Sequence, residues 1–304
     1  MRDVILWSYM RPELTRDAID HITTWSELRS LTVVIDGLRP SASELESSWR
    51  KQTIKIVEES NKPNLELVVY GTNIGITDHV NRVQRSLLPK LPSAIWVEED
   101  FRLDFEAYEQ FLKKMVIPEK TFLACANGQA NHTEPNLDLR TLFPPYWGQV
   151  VNIALTEEIE KIRFDKKIDS KIARNMLSIL HSKLGFPRSY IFEKQIDYWN
   201  QYFNWAVYNP NRWDALATYV LWKNENPTYV SPLNHVLDLA ETDDRGMNKR
   251  HEPQIPIQHA LRVLSRNQVD VCFLCERRKS RVSFSTFELV TNKMSYHARY
   301  LIKK

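Results

Sequence analysis

Two rhythms alternate along the first hundred residues. Short runs rich in β-branched and aromatic residues, "DVILWSY", "LTVVIDG", "LELVVYG" and "SAIWVEED", predict four strands. Between them lie longer stretches with apolar residues at helical spacing. "PELTRDAIDHITTW" puts Pro12 at a helix start, with Leu14, Ala18, Ile19 and Ile22 on one stripe. "SASELESSWRKQTIKIVEES" opens on a serine N-cap with a glutamate behind it, and "TDHVNRVQRSLL" opens on Thr77 or Asp78. This βαβα order predicts an α/β fold, with a mostly parallel sheet covered by helices on both faces.

Beyond residue 100 the pattern is less regular. "FEAYEQFLKKM" predicts a helix and "TFLACANG" a strand. "LTEEIEKIRF" and "DSKIARNMLSILHSKL" are helical, and the aromatic-dense "YWNQYFNWAVYNPNRWDALATYVLW" ends in a helix. No repeat or low-complexity linker divides the chain, so one domain with a C-terminal elaboration is expected.

Composition narrows the class. With 304 residues, 43% hydrophobic and seven glycines, the chain has enough apolar surface for a large core. No apolar stretch approaches the ~20 residues that cross a bilayer, and "MRDVILWSYM" lacks a signal peptide's apolar core, so a cytoplasmic address is expected. Three cysteines cannot build a disulfide framework. Cys272 and Cys275 in "CFLC" have zinc-like spacing but no second ligand pair, and read as strand cysteines. The net charge of +3 is unevenly placed: from Arg245 onward there are 13 Lys/Arg against four Asp/Glu, a net +9, which leaves −6 for the residues before it. The tail is either a solvated face or a surface for phosphate, anionic lipid or acidic glycan.

Ligands of open α/β sheets bind outside the carboxyl ends of the strands. Here those ends are polar: Ser8, Tyr9 and Arg11; Asp36 and Gly37; Gly71, Thr72 and Asn73; Glu98, Glu99 and Asp100. "GTNIGITDHVNR" has neither GxGxxG spacing nor a Walker lysine, so a bound diphosphate would need another partner. A divalent cation on clustered carboxylates answers that need, since Mg²⁺ and Mn²⁺ prefer hard oxygen ligands shared with phosphates.

In order and spacing, "SYMRPELTRDAIDHI", "VVIDG", "GTNIGITDHVNR" and "WVEED" resemble the nucleotide-binding half of GT-A glycosyltransferases, particularly family 2-like bacterial enzymes. "LFPPYWGQ", "RWDALATYVLW" and "VSPLNHVLDLAETDDRG" resemble acceptor-side segments of one branch, so the likeness touches about two thirds of the chain. It implies a Rossmann-like GT-A domain with a nucleotide-sugar half over 1–120 and an acceptor half over 121–250, followed by a basic extension over 251–304. The implied activity is transfer of a sugar from a uridine or other nucleoside diphosphate donor to a glycan or lipid-linked acceptor hydroxyl, by inverting displacement, in glycan or polysaccharide biosynthesis. The implied cofactor is Mn²⁺ or Mg²⁺, held at a DXD-like motif in which Glu-Glu-Asp departs from Asp-X-Asp.

Carried over by position, Tyr9, Arg11 and Asp36 hold the nucleoside, Asn73 and Asp78 belong to the same nucleotide-sugar site, and Glu98 or Glu99 contacts ribose or sugar. Asp100 binds the metal, His251 closes its shell, and Arg245, with Lys249 and Arg250, grips the diphosphate. The base that takes the acceptor proton is Asp214, at a helix start where the dipole keeps it ionised, although a plain cap explains it equally. Glu157 and Glu158 are the runner-up bases, or members of a capping box after Thr156. Trp199, Tyr202, Phe203, Trp205, Tyr208 and Trp213 are core residues or stack on sugar rings. The tail allows peripheral contact with anionic lipid at the inner membrane face. Two alternatives remain: a sugar-phosphate nucleotidyltransferase, though its Gly-rich signature after strand one is missing, and a nucleic-acid-binding protein using the basic tail, though no RNP, KH or zinc-finger pattern occurs.

Overall fold

Strand β1 (Arg2–Ser8) is buried on both faces: Val4, Ile5 and Leu6 are all inaccessible to solvent, so the strand lies inside a sheet rather than on it. The computed structural model describes residues 1–91, 94–114, 123–126, 139–141, 148–184, 190–209, 212–225, 228–230 and 236–238. The strands are β1, β2 (Leu28–Ile35), β3 (Leu65–Val69), β4 (Ile95–Glu98), β5 (Phe101–Leu103), β6 (Leu123–Cys125), β7 (Leu139–Thr141), β8 (Gln149–Val151), β9 (Thr228–Val230) and β10 (Val236–Asp238). The helices are α1 (Pro12–Thr23), α2 (Glu44–Glu59), α3 (Ile76–Leu87), α4 (Phe105–Lys114), α5 (Ile153–Asp165), α6 (Ser170–Leu184), α7 (Tyr190–Tyr208) and α8 (Trp213–Lys223).

The main sheet runs β3-β2-β1-β4-β8-β6-β9-β7, and β10 pairs antiparallel with β5 beside it. The first four strands are mutually parallel, and β8 enters antiparallel against β4. The Rossmann-like α/β arrangement expected from the sequence is therefore present. Alternate side chains sort to opposite faces. Val4 and Leu6 pack with Val33, Ile35, Ile95 and Val97 under α1, α2 and α4. Ile5, Val34 and Trp96 pack under α3 and the α5–α8 layer, where Phe203, Leu216 and Trp222 close the core.

Local signals behave as the sequence implies. Pro12 occupies the first turn of α1, where its missing N–H costs nothing. Ser43 and Glu46 form the capping box of α2, with Ser43 Oγ accepting from Glu46 N–H at 3.1 Å and Glu46 Oε2 from Ser43 N–H at 2.7 Å. Two expected caps are displaced. Helix α3 starts after Gly75, whose φ of 84° leaves the strand-loop path, so neither Thr77 nor Asp78 is its cap. Helix α5 starts after Asn152, whose side chain accepts from Ala154 N–H at 2.9 Å, so Glu157 and Glu158 lie one turn inside the helix and form no capping box. Asp214 likewise lies inside α8, whose N-cap position is Arg212, a residue that makes no side-chain cap bond. Among the described residues no helix is long and apolar enough to cross a membrane.

Candidate functional site

Because the order is β3-β2-β1-β4 and all four run parallel, their carboxyl ends line one rim. Two polar clusters sit there.

The first is built around Asp36 at the exit of β2. Asn73 Nδ2 donates to its Oδ2 at 2.9 Å, and the Gly37 N–H donates to its Oδ1 at 2.7 Å. Arg50 clamps the strand ends beneath, with Nε on the Asp36 carbonyl at 2.7 Å and Nη2 on the Tyr70 carbonyl at 2.8 Å. The β2 and β3 exits touch directly through the Leu38–Thr72 bridge, and a Cβ on Gly37 would stand 2.2 Å from the Thr72 carbonyl carbon. Only glycine permits that approach.

His79 completes the cluster. Its Nδ1 lies 3.1 Å from Asp36 Oδ1 and 3.1 Å from Arg82 Nη2, while its ring edges meet Trp7 and Tyr70. Burial first, and then the charge of Arg82, push its pKa down to about 4, so the ring is neutral near pH 7. A neutral ring carries one proton. Because the Arg82 guanidinium can only donate, its bond makes Nδ1 the acceptor and leaves that proton on Nε2, so the contact with Asp36 is neither an ion pair nor a hydrogen bond. Arg82, 3.6 Å from the same carboxylate, lies over the Tyr70 ring at 3.7 Å from its centroid. Burial raises the Asp36 carboxyl, against the opposing pull of the Gly37 N–H and the charges of Arg82 and Arg50. Tyr9 stands next to this cluster; burial chiefly raises its pKa, and its hydroxyl is buried without a hydrogen bond of normal geometry.

The second cluster answers why "WVEED" stacks three acids at a strand end. They part company. Glu98 ends β4 and is exposed, whereas Glu99 and Asp100 turn inward and are each only 6% exposed. Arg11, at the N-cap of α1, donates from Nη1 to Asp100 Oδ2 at 2.6 Å and holds Nε 3.5 Å from Glu99 Oε1. Arg102 donates from Nη1 to the carbonyls of Glu99 and Phe101, each at 3.1 Å, which fixes the turn. Asp100 Oδ1 is buried and has no hydrogen-bond partner. A buried carboxylate oxygen left unmatched is costly unless a ligand meets it. Among the described residues no three Asp, Glu, His or Cys side chains converge as a metal cage.

Asp214 sits near the start of α8, and that start abuts the start of α3, since the Arg212 N–H donates to Thr77 Oγ1 at 3.0 Å. Its Oδ2 accepts from the Tyr202 hydroxyl at 3.4 Å. Burial is the main cause raising its pKa, partly offset by the Ala215 N–H and the charge of Arg212. Burial and the neighbouring Asp214 raise the Tyr202 phenol as well. Of the runner-up bases, Glu158 pairs with Lys223 at 2.9 Å and Glu157 is exposed. Asp78 faces α5, where it pairs with Arg163. The aromatics divide: Trp199, Phe203 and Trp213 are core, while Trp205 and Tyr208 are exposed at 46% and 66%. Arg245, Lys249, Arg250, His251, Cys272, Cys275 and the basic extension lie outside the described residues, as do the "LFPPYW" segment and most of "VSPLNHVLDLAETDDRG".

The sequence reading passed over His79, Arg82, Arg50 and Arg102. His79 and Arg82 are three apart in "TDHVNR", the spacing that puts two side chains on one helix face, and Arg102 follows the acidic triplet by two residues.

No protein-family model matches the chain, and no curated protein matches it. Among solved structures it is similar to the crystal structure of mouse xyloside xylosyltransferase 1 in its apo form. That likeness has 11% sequence identity and a TM-score of 0.33, and covers 76% of this chain and 85% of that one.

Proposed function

We propose that the chain is a glycosyltransferase that uses a nucleoside diphosphate sugar. The observation that carries this reading is the pairing of two unlike polar clusters on one rim. Asp36 and Asp100 follow strands separated only by β1, so the two strand exits stand about 10 Å apart, two strand spacings. That spacing suits a nucleoside at Asp36, Asn73 and Tyr9 with its diphosphate at Asp100.

Asp36 and Asn73 together offer acceptor and donor atoms to a base or ribose edge. Arg11 and the unmatched Asp100 Oδ1 stand where the diphosphate reaches the second cluster; Arg11 pairs with phosphate oxygens as readily as with carboxylates. Asp100 Oδ1 would hold Mn²⁺ or Mg²⁺, and when bound that cation stabilises the charge on the departing diphosphate. Asp214 is assigned as the base toward the acceptor hydroxyl. Its raised pKa moves it toward the basicity a proton acceptor needs, and Tyr202 orients it.

The test is a thermal-shift panel of nucleoside diphosphate sugars, each with Mn²⁺ and again with excess chelator. Stabilisation by one nucleoside series, lost in Asp36→Ala and weakened by chelator, is the expected result. A chain that no nucleotide stabilises under either condition is not a nucleotide-sugar enzyme.

A further inference from the structure

A cleft of about 830 Å³ opens on the α3 side of the sheet, between α3, α5 and the end of α7. We infer that it binds an acidic saccharide, a sugar carrying a carboxylate or phosphate, and that this is the acceptor of the transfer; the role as acceptor rests on the glycosyltransferase reading, the binding does not.

Charge points to an anion. Arg82, Arg85, Arg163 and Lys166 line the cleft against two carboxylates, Asp78 and Glu160, a net +2 that the Asp36 carboxylate, 3.6 Å from Arg82, lowers to +1. The two acids bridge the helices through ion pairs with Arg163 and Arg85, which fixes those guanidinium groups in place before any ligand arrives. Lys166 ends α5 in the left-handed region, with φ 49°, and its ammonium lies 5.8 Å from the centre of the Tyr208 ring. That leaves an exposed cation beside an exposed ring.

Two further features point to a sugar rather than a bare anion. Tyr208 is 66% and Phe164 88% exposed, and both line the cleft. Large rings held at a concave surface offer flat apolar faces to the C–H face of a pyranose. Asn81, 4% exposed, has a buried Oδ1 without a hydrogen-bond partner, and so has the Nε of both Arg82 and Arg163. An unmet acceptor beside unmet donors suits hydroxyl groups, which both give and take hydrogen bonds. Arg82 also reaches the Asp36 cluster, so the cleft adjoins the proposed donor site.

The experiment is calorimetric titration of the full chain with digalacturonate, glucose 6-phosphate, neutral maltose and inorganic phosphate. The acidic sugars should bind at least about tenfold more tightly than maltose, and the advantage should shrink as salt is raised through about 0.3 M. Tyr208→Ala should weaken both acidic sugars about tenfold, and Lys166→Glu should abolish their advantage over maltose. Preference for digalacturonate identifies the carboxylate source, and preference for glucose 6-phosphate the phosphate source. Inorganic phosphate binding as tightly as glucose 6-phosphate would overturn the saccharide assignment, and unchanged affinity in both variants would overturn the cleft. A chain that binds acidic sugars but no nucleotide keeps this site and loses only its role as acceptor.

Discussion

Arg11 bonds Asp100 through Nη1 at 2.6 Å, and the two side chains are only 14% and 8% exposed, so the acid that a cation would need is already half engaged by a fixed positive charge. Removing one member or the other has opposite consequences for metal binding.

Arg11→Met should free Asp100 Oδ2 and remove the cation that Glu99 and Asp100 share. Mn²⁺ binding in the absence of nucleotide should then tighten several-fold, since the competing guanidinium is gone. Titration of the metal, followed by paramagnetic resonance, checks this. Weaker binding would place the cation away from Asp100.

Asp100→Asn replaces the charged acceptor at 2.6 Å while Glu99 stays 3.5 Å from the Arg11 Nε, and it should cost about 2 kcal/mol of stability, read as the midpoint of urea unfolding. Nucleotide binding should lose its response to Mn²⁺ in the same variant. A response equal to that of the unaltered chain contradicts the assignment.

The neutral state of His79 makes folding sensitive to acid. Its folded pKa of about 4 lies below the ordinary 6.5, so between those values the unfolded chain holds the extra proton. Stability is therefore complete above pH 6.5 and falls as pH drops toward 4, by at most about 3 kcal/mol. The raised carboxyl of Asp36 opposes this at the acid end, because it favours the protonated folded state there. His79→Gln should flatten the profile measured from pH 7 to pH 4.5; an unchanged slope would assign the acid sensitivity elsewhere.

Asp214→Asn removes the carboxyl whose ionisation burial penalises, so the variant should fold at least as stably as the parent. Donor binding should persist while transfer falls by roughly 10²–10⁴. Full turnover in this variant would move the base to Glu157 or Glu158.

The parallel core was readable because its evidence is local. The runs of β1 to β4 and the box of Ser43 and Glu46 each depend on residues adjacent in the chain. What the sequence reading missed depends on distance. Gly75 displaces the start of α3, which turns Asp78 toward Arg163 on a helix 85 positions away. The acidic triplet looked like one feature, but a turn fixed by Arg102 sends Glu98 outward and its neighbours inward. Pairing Arg11 with Asp100 takes a contact across 89 positions, and no pattern in either segment alone announces it. The aromatic stretch was ambiguous for the same reason: its spacing places Phe203 and Tyr208 on one helix, but only packing decides that one is sealed and the other bare.

Gly37 is where two exits of the sheet are allowed to meet. Gly37→Ala should cost roughly 2 kcal/mol or more, because its Cβ meets backbone rather than a movable side chain. The structural consequence reaches further than that figure. With the β2 and β3 loops in van der Waals contact, Asn73 is held on Asp36 by the scaffold, so the orientation of the acid is settled when the chain folds. A ligand arriving at this rim meets a surface that has already lost its freedom to move, and it can spend its contacts on recognition instead of on ordering the loops.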